Sequence, residues 1–135
     1  MSRIKARENL MQLVFSYEFD KEEDFCVENF FEEDFIKENN LTDEDKSYIL
    51  ENFNGIKQNY EEIKNLIKTN LVGYSIERIC KTDLAILIVS IYQIKFLNEN
   101  KKVIISSAVD MSKKYSPDNS YKFVNGLLAK VTDAI

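Results

Sequence analysis

Residues 49–67 read ILENFNGIKQNYEEIKNLI, and their large apolar side chains recur at intervals of four, three, four, three and four residues. These side chains belong to Ile49, Phe53, Ile56, Tyr60, Ile63 and Ile67. The alternation keeps them on one face of an α-helix and is typical of a helix that packs along its whole length. Just before this stretch, Thr42 and Asp45 have the spacing of a capping box that starts a helix. The sequence therefore predicts one long, continuous helix here.

Apolar residues follow a helical spacing in most of the remaining chain. Such stripes lie within residues 6–17, 84–97, 104–115 and 124–135. The chain has only three glycines and one proline, and β-sheets need the turns that these residues favour. Residues 84–97 are apolar almost all round, which indicates a central, buried helix. We predict an all-α chain of six or seven helices that forms a single domain over residues 1–135.

Local signals predict where several of these helices begin. The Thr-Asp pair at 82–83 is typical of an N-cap before the central helix. The Lys-Lys pair at 101–102 is interpreted as a short basic loop, and the Ser-Pro pair at 116–117 as the start of the last helix. Gly126 falls inside that last helix, where glycine costs about 1 kcal/mol relative to alanine. We predict that Gly126 is kept for a close backbone contact.

The composition argues against an enzyme. Histidine is absent, which removes Ser/His/Asp triads, Cys/His pairs and histidine-based metal sites. The glycines stand alone, so no glycine-rich loop is available to cradle a phosphate or a nucleotide cofactor. The first residues lack the apolar run of a signal peptide, and the widely spaced Cys26 and Cys80 suit reduced thiols. We expect a cytoplasmic, non-catalytic binding protein without a metal or a cofactor.

Charge is distributed unevenly along the chain. Residues 18–45 contain thirteen acidic and two basic residues, a local net charge of −11 in a chain whose total is −5. The remainder therefore carries +6 and can form a basic surface despite the acidic average. Within the acidic segment, a predicted core-facing side is formed by Phe25, Phe30, Phe31, Phe35 and Ile36.

Two groups of residues are candidates for binding RNA. Arg3, Lys5 and Arg7 lie in the first turns of the first helix, where the helix dipole disfavours cations, so phosphate is a natural partner. A merely solvated basic start is the alternative. Near the end of the chain, Lys122 and Phe123 combine a cation with a ring that could stack on a base. The alternative for Phe123 is an ordinary core side chain.

Several motifs resemble the NusB family in order and spacing. Residues 122–128 (KFVNGLL) resemble its KFVNGvL signature, and residues 109–116 (VDMSKKYS) resemble the helix before it. Residues 77–79 (ERI), 83–87 (DLAIL) and 91–92 (IY) resemble a family block of the form eRi…DraiLRlaiyEl. Residues 6–8 (ARE), followed by Gln12 and Phe15, resemble the arginine-rich start of the family. The resemblance covers nearly the whole chain except the acidic segment.

This resemblance implies a fold of two small three-helix bundles joined by a long third helix. It also implies a partnership with the ribosomal protein NusE and with boxA RNA. Such a complex recruits the wider Nus complex to RNA polymerase and suppresses termination during ribosomal RNA transcription. The resemblance places Arg3, Lys5, Arg7 and Phe123 near the RNA. It places Phe15 and Asp83 toward NusE, and on this basis charge reversal at Asp83 should impair NusE binding more than folding.

The sequence departs from the family pattern at three positions. Ile88 replaces a usual arginine, Gln93 a usual acidic residue, and Ser107 a common glutamate. We infer a weaker affinity for RNA and a greater dependence on NusE. Because Ile88 and Gln93 lie five residues apart on one helix, we interpret their replacement as the loss of one ion pair.

Two alternative functions remain open. One is a helical scaffold that binds protein only. The other is the NusB-like module that precedes the catalytic part of ribosomal RNA cytosine methyltransferases, which would need a catalytic domain with a methyl-donor site. RNA binding by the purified chain, with and without NusE, separates the first alternative from an RNA-binding adaptor. The choice between a monomer and a homodimer also stays open.

Overall fold

The computed structural model describes residues 3–19, 31, 33–73 and 75–135, and the predicted core residues Phe25 and Phe30 lie outside these ranges, as does Cys26. The described residues form seven α-helices and no strand, so the predicted all-α class is confirmed. The helices are α1 (Arg3–Phe19), α2 (Glu33–Glu38), α3 (Asp43–Gln58), α4 (Tyr60–Asn70), α5 (Lys81–Lys95), α6 (Lys101–Tyr115) and α7 (Ser120–Ala134). A short 3₁₀ turn, Ile76–Arg78, precedes α5.

Helix α3 begins at the predicted capping box. The Thr42 hydroxyl accepts a hydrogen bond from the Asp45 N–H at 3.1 Å, and the Asp45 carboxylate accepts one from the Thr42 N–H at 2.9 Å. The bond from the Thr42 backbone holds the pKa of Asp45 below its usual value. The start of this helix is therefore determined by residues three positions apart.

The predicted long helix is wrong in one respect, because it is interrupted at Asn59. The six apolar residues of its stripe are all buried, as the spacing predicted. At Asn59, however, the backbone leaves the helical conformation (φ −111°, ψ 17°). The Asn59 side-chain amide donates to the Gly55 carbonyl at 2.9 Å, beside the Asn59 N–H, which donates to the same carbonyl at 3.1 Å. The stripe therefore runs through two successive helices, α3 and α4.

Helix α5 is the centre of the molecule. It packs against α1, α3, α4, α6 and α7, and all twelve residues from Asp83 to Ile94 are buried. Helix α3 also contacts α1, whereas α4 also contacts α7, so the α3–α4 run joins the two groups of helices around α5. None of the helices in the described ranges is both long enough and apolar enough to cross a membrane.

Two predicted helix starts and one predicted loop are wrong. Helix α5 begins at Lys81 after Cys80, so the Thr-Asp pair at 82–83 lies in its first turn rather than at its cap. The Lys-Lys pair at 101–102 opens α6, whose cap is Asn100: its side chain accepts from the Val103 N–H at 3.2 Å. The Ser-Pro pair at 116–117 follows α6, and α7 begins after Asn119, which has a positive φ of 69°.

The close backbone contact predicted at Gly126 occurs instead at Gly55. A Cβ atom built on Gly126 would meet nothing within 4 Å. A Cβ atom built on Gly55 would lie 2.4 Å from Cζ of Tyr92, because the Tyr92 ring of α5 lies directly over the backbone of α3. Glycine at position 55 therefore permits the close packing of α3 on α5.

Candidate nucleic-acid and partner interfaces

Arg7 lies inside the protein rather than on a basic surface. Only 6% of the residue is exposed, and its Nε donates a hydrogen bond to Gln93 Oε1 at 3.1 Å. Its Nη2 lies 3.8 Å from a carboxylate oxygen of Glu99. In the free chain Arg7 therefore links α1 to α5, and a contact with phosphate would require it to leave these partners.

Gln93 is the centre of this buried polar cluster. It is fully buried, and its amide donates to the Tyr48 hydroxyl at 2.8 Å and to Asn52 Oδ1 at 3.0 Å. Ile88, by contrast, is fully buried among apolar residues. Interpreting the departures at 88 and 93 as one lost ion pair is thus wrong for this chain, because the two side chains have different surroundings.

The other two cations of the N-terminal helix have partners within the chain. The exposed Arg3 places its guanidinium 4.0 Å from the centroid of the Tyr48 ring. It also lines a hollow of about 620 Å³ beside four acidic residues: Asp43, Glu44, Asp45 and Glu51. The half-buried Lys5 lies 3.7 Å from Glu8 Oε1. The positive charge of this helix start is therefore partly compensated by neighbouring carboxylates.

A groove between α1 and α6, called the α1–α6 groove below, was missed by the sequence analysis. It encloses about 410 Å³, and its lining includes Ile4 and Glu8 of α1 and Lys102, Val103, Ser107 and Lys114 of α6. The Lys114 ammonium donates to Glu8 at 3.0 Å, which raises the pKa of Lys114. The sequence did contain a signal for the α6 side of this groove: positions 102, 106, 110 and 114 are four residues apart and so share one helix face.

Lys122 and Phe123 line a different hollow, between α7 and the end of α4. This hollow encloses about 210 Å³ and also includes Val72, Gly126 and Lys130. Lys122 is exposed, and Phe123 is half-buried and packs against the hydrophobic core. The ring therefore belongs to the edge of the core and also borders a surface hollow, and its contact with RNA stays a prediction.

The two residues predicted to face a protein partner lie in different surroundings. Phe15 is half-buried near the end of α1, with its ring centroid 4.9 Å from that of Phe19, a residue that is 64% exposed. Asp83 is only 3% exposed. Its Oδ1 accepts hydrogen bonds from the hydroxyls of Ser112 at 3.1 Å and Ser116 at 2.7 Å. Asp83 is therefore more than a residue of the helix start, because its carboxylate joins α5 to the end of α6, and charge reversal there should also impair folding.

A family model described as the NusB family matches residues 4–133, nearly the whole chain. The chain belongs to the NusB family. It is 39% identical to the transcription antitermination protein NusB of Clostridium novyi, over 99% of this chain and 100% of that protein. It is 35% identical to the protein of the same name from Staphylococcus epidermidis, over 98% of this chain and 100% of that protein.

Solved structures of NusB share the fold of this family member. The chain resembles NusB of T. maritima with a TM-score of 0.83 at 26% identity, over 98% of this chain and 92% of that one. It also resembles a chain in the crystal structure of NusB and NusE with double-stranded RNA, with a TM-score of 0.83 over 98% of this chain and 97% of that one. The latter identity is 23%, so this likeness concerns the fold alone.

Proposed function

We propose that this chain is a transcription antitermination factor that acts with NusE on boxA RNA during ribosomal RNA transcription. The observation that carries the proposal is the 39% identity, over essentially full length, to the transcription antitermination protein of C. novyi. A NusB of the same fold has been crystallised with NusE and double-stranded RNA, which supports both classes of partner. The complex would act in the cytoplasm, together with the wider Nus complex and RNA polymerase.

For RNA, we propose contacts by Arg3, Lys5, Lys122 and Phe123, with Arg7 supporting the start of α1 from inside. Lysine and arginine side chains bind phosphates, whereas an aromatic ring stacks on an unpaired base. The burial of Arg7 and its bond to Gln93 suit a residue that holds the position of α1. Arg3 would exchange its ring contact with Tyr48 for a phosphate.

For NusE, we propose that the apolar surface around Phe15 and Phe19 forms part of the contact. Exposed aromatic side chains of this kind are enriched in protein interfaces. The acidic residues of the first half complement a basic ribosomal protein, which favours association. Asp83 would contribute indirectly, because it holds the end of α6 through Ser112 and Ser116.

The salt dependence of RNA binding tests the proposal. Three cations, Arg3, Lys5 and Lys122, are proposed to contact RNA in a chain of net charge −5, so we expect weak binding by the chain alone. The logarithm of the affinity should fall with the logarithm of the salt concentration with a slope of roughly −2 to −4. Affinity for boxA RNA should be measured by fluorescence anisotropy, with and without NusE, across a salt series. Binding of NusE without any RNA binding would favour the scaffold alternative, and a slope near −8 would contradict the small set of contacts proposed.

Phe123→Ala is expected to weaken binding of boxA RNA by about 1–3 kcal/mol, because a stacking ring is lost. NusE affinity should stay unchanged. Since Phe123 also packs on the core, stability will fall in this variant. Phe96→Ala is a matched control, because Phe96 is likewise half-buried and packed against the core. If both variants weaken RNA binding equally, Phe123 acts only through the stability of the core and does not contact RNA.

A further inference from the structure

The α1–α6 groove exposes apolar surface that the fold does not cover. Ile4 is 62% exposed and Val103 is 54% exposed, and both line the groove together with the buried Met111. Large apolar side chains that converge on one concavity are typical of a binding site rather than of ordinary surface. The volume of about 410 Å³ falls within the usual range for small-molecule pockets and exceeds that of a single nucleobase.

Ser107 adds a polar group that lacks a partner within the described part of the chain. The residue lines the groove, is 9% exposed, and its buried Oγ makes no hydrogen bond. Buried serines in helices usually bond to the preceding turn, as Ser90 does by donating to the Ile86 carbonyl at 2.7 Å. An unsatisfied buried hydroxyl is costly, and a ligand that both donates and accepts hydrogen bonds would satisfy it.

The charges around the groove favour a nucleotide. Lys102 and Lys114 are exposed cations on its rim. Glu8 is neutralised by Lys114 at 3.0 Å and by Lys5 at 3.7 Å. The remaining carboxylate, Asp110, is exposed and can accept a hydrogen bond from the amino group of a base. An apolar slot with polar groups inside and cations outside matches a base with its flanking phosphates.

We propose that the α1–α6 groove is a pocket for one unpaired RNA base. The base enters between Ile4 and Val103, while Ser107 and Asp110 bond to its edge. Lys102 and Lys114 bind the flanking phosphates. A carboxylate only accepts hydrogen bonds, and the N3–H donor of uracil lies between two carbonyl oxygens that a carboxylate repels. The pocket therefore favours bases with an exocyclic amino group over uracil. The inference rests on the proposed RNA-binding function and adds a site on α6 to it.

The test measures the affinity of the protein for short single-stranded RNAs and for an abasic strand of the same length. Both strands carry the same phosphates, so the ratio of the two affinities reports the contribution of the bases. Oligocytidine and oligouridine serve as the base-bearing probes, with the full chain and its NusE complex. We expect the pocket to contribute about tenfold to the preference of the wild-type chain for oligocytidine over the abasic strand, similar to the usual contribution of one stacked base. Val103→Glu should lower this ratio by about the same factor, and the preference that remains comes from the base that stacks on Phe123.

Leu97→Glu is the matched control, because Leu97 is 43% exposed at the end of α5 and its substitution should leave the ratio unchanged. Ser107→Ala should reduce the preference for cytidine over uridine and should raise the melting temperature, because an unsatisfied hydroxyl is removed. If both variants bind RNA and Val103→Glu and Leu97→Glu show the same ratio of affinities for oligocytidine and the abasic strand, the base pocket is refuted, but the proposed RNA-binding function is not. Absence of RNA binding by the wild-type complex would overturn the proposed function.

A third outcome concerns a protein occupant. If Val103→Glu weakens the binding of NusE and leaves the ratio of RNA affinities unchanged, the groove receives an apolar side chain of that partner, and the base pocket is refuted.

Discussion

Replacement of Asp83 by lysine is expected to lower the free energy of unfolding by about 3–5 kcal/mol, because it leaves an uncompensated charge in the interior. Asp83 is 3% exposed and accepts hydrogen bonds from Ser112 and Ser116. A lysine there would bring an ammonium group and remove the oxygen, Oδ1, that accepts both bonds. Chemical denaturation at 25 °C, followed by circular dichroism, measures the loss.

Asp83→Asn provides the graded control. It keeps one acceptor oxygen and the size of the side chain but removes the charge, so we expect a smaller loss of about 1.5–3 kcal/mol, the usual contribution of hydrogen bonds to charged groups. The loss should shrink in a Ser112→Ala, Ser116→Ala background, where the carboxylate has already lost its partners. If Asp83→Lys is as stable as the wild type but binds NusE more weakly, Asp83 contacts NusE directly.

Gly55→Ala is expected to destabilise the protein by about 1–3 kcal/mol, the usual cost of overpacking a core. The added methyl group would lie 1.9 Å from the Tyr92 hydroxyl oxygen. The tyrosine cannot move aside freely, because it is 7% exposed and its ring stacks on Phe96 with centroids 5.7 Å apart. Thermal and urea denaturation report the loss, and a Tyr92→Leu background should reduce it.

Gly126→Ala is the control for the same chemical change in another helix. Nothing lies within 4 Å of its added methyl group, so the ordinary helix propensity of alanine should stabilise the chain by about 1 kcal/mol. Opposite signs for the two substitutions would verify the close approach of α3 and α5. Equal stabilisation by both would show that Tyr92 does not lie over Gly55.

Helical periodicity and capping could be derived from the sequence because they depend on residues within one or two turns. The stripe from Ile49 to Ile67 is buried along its whole length, as its spacing predicted. The capping box at Thr42 and Asp45 likewise needs only neighbours three positions apart. The interruption at Asn59 was missed because a heptad pattern continues unchanged through a local bend in the backbone.

The candidate binding residues were less predictable, because exposure depends on how the helices pack. Arg3 and Arg7 lie four residues apart on the same helix and look alike in the sequence. Arg3 nevertheless stays exposed, whereas Arg7 is buried against Gln93, which lies 86 residues further along the chain. Similarly, Asp83 resembles an ordinary residue of a helix start until α6 brings Ser112 and Ser116 against it.

The all-α class, most helices and the membership of the NusB family were thus determined by the sequence, since local spacing and ordered motifs carry that information. Packing alone decided which cations remain on the surface, which carboxylate becomes buried, and where a groove opens between α1 and α6. The physical reason is that a helix forms from bonds four residues apart, whereas the environment of a side chain is set by helices that are distant in sequence.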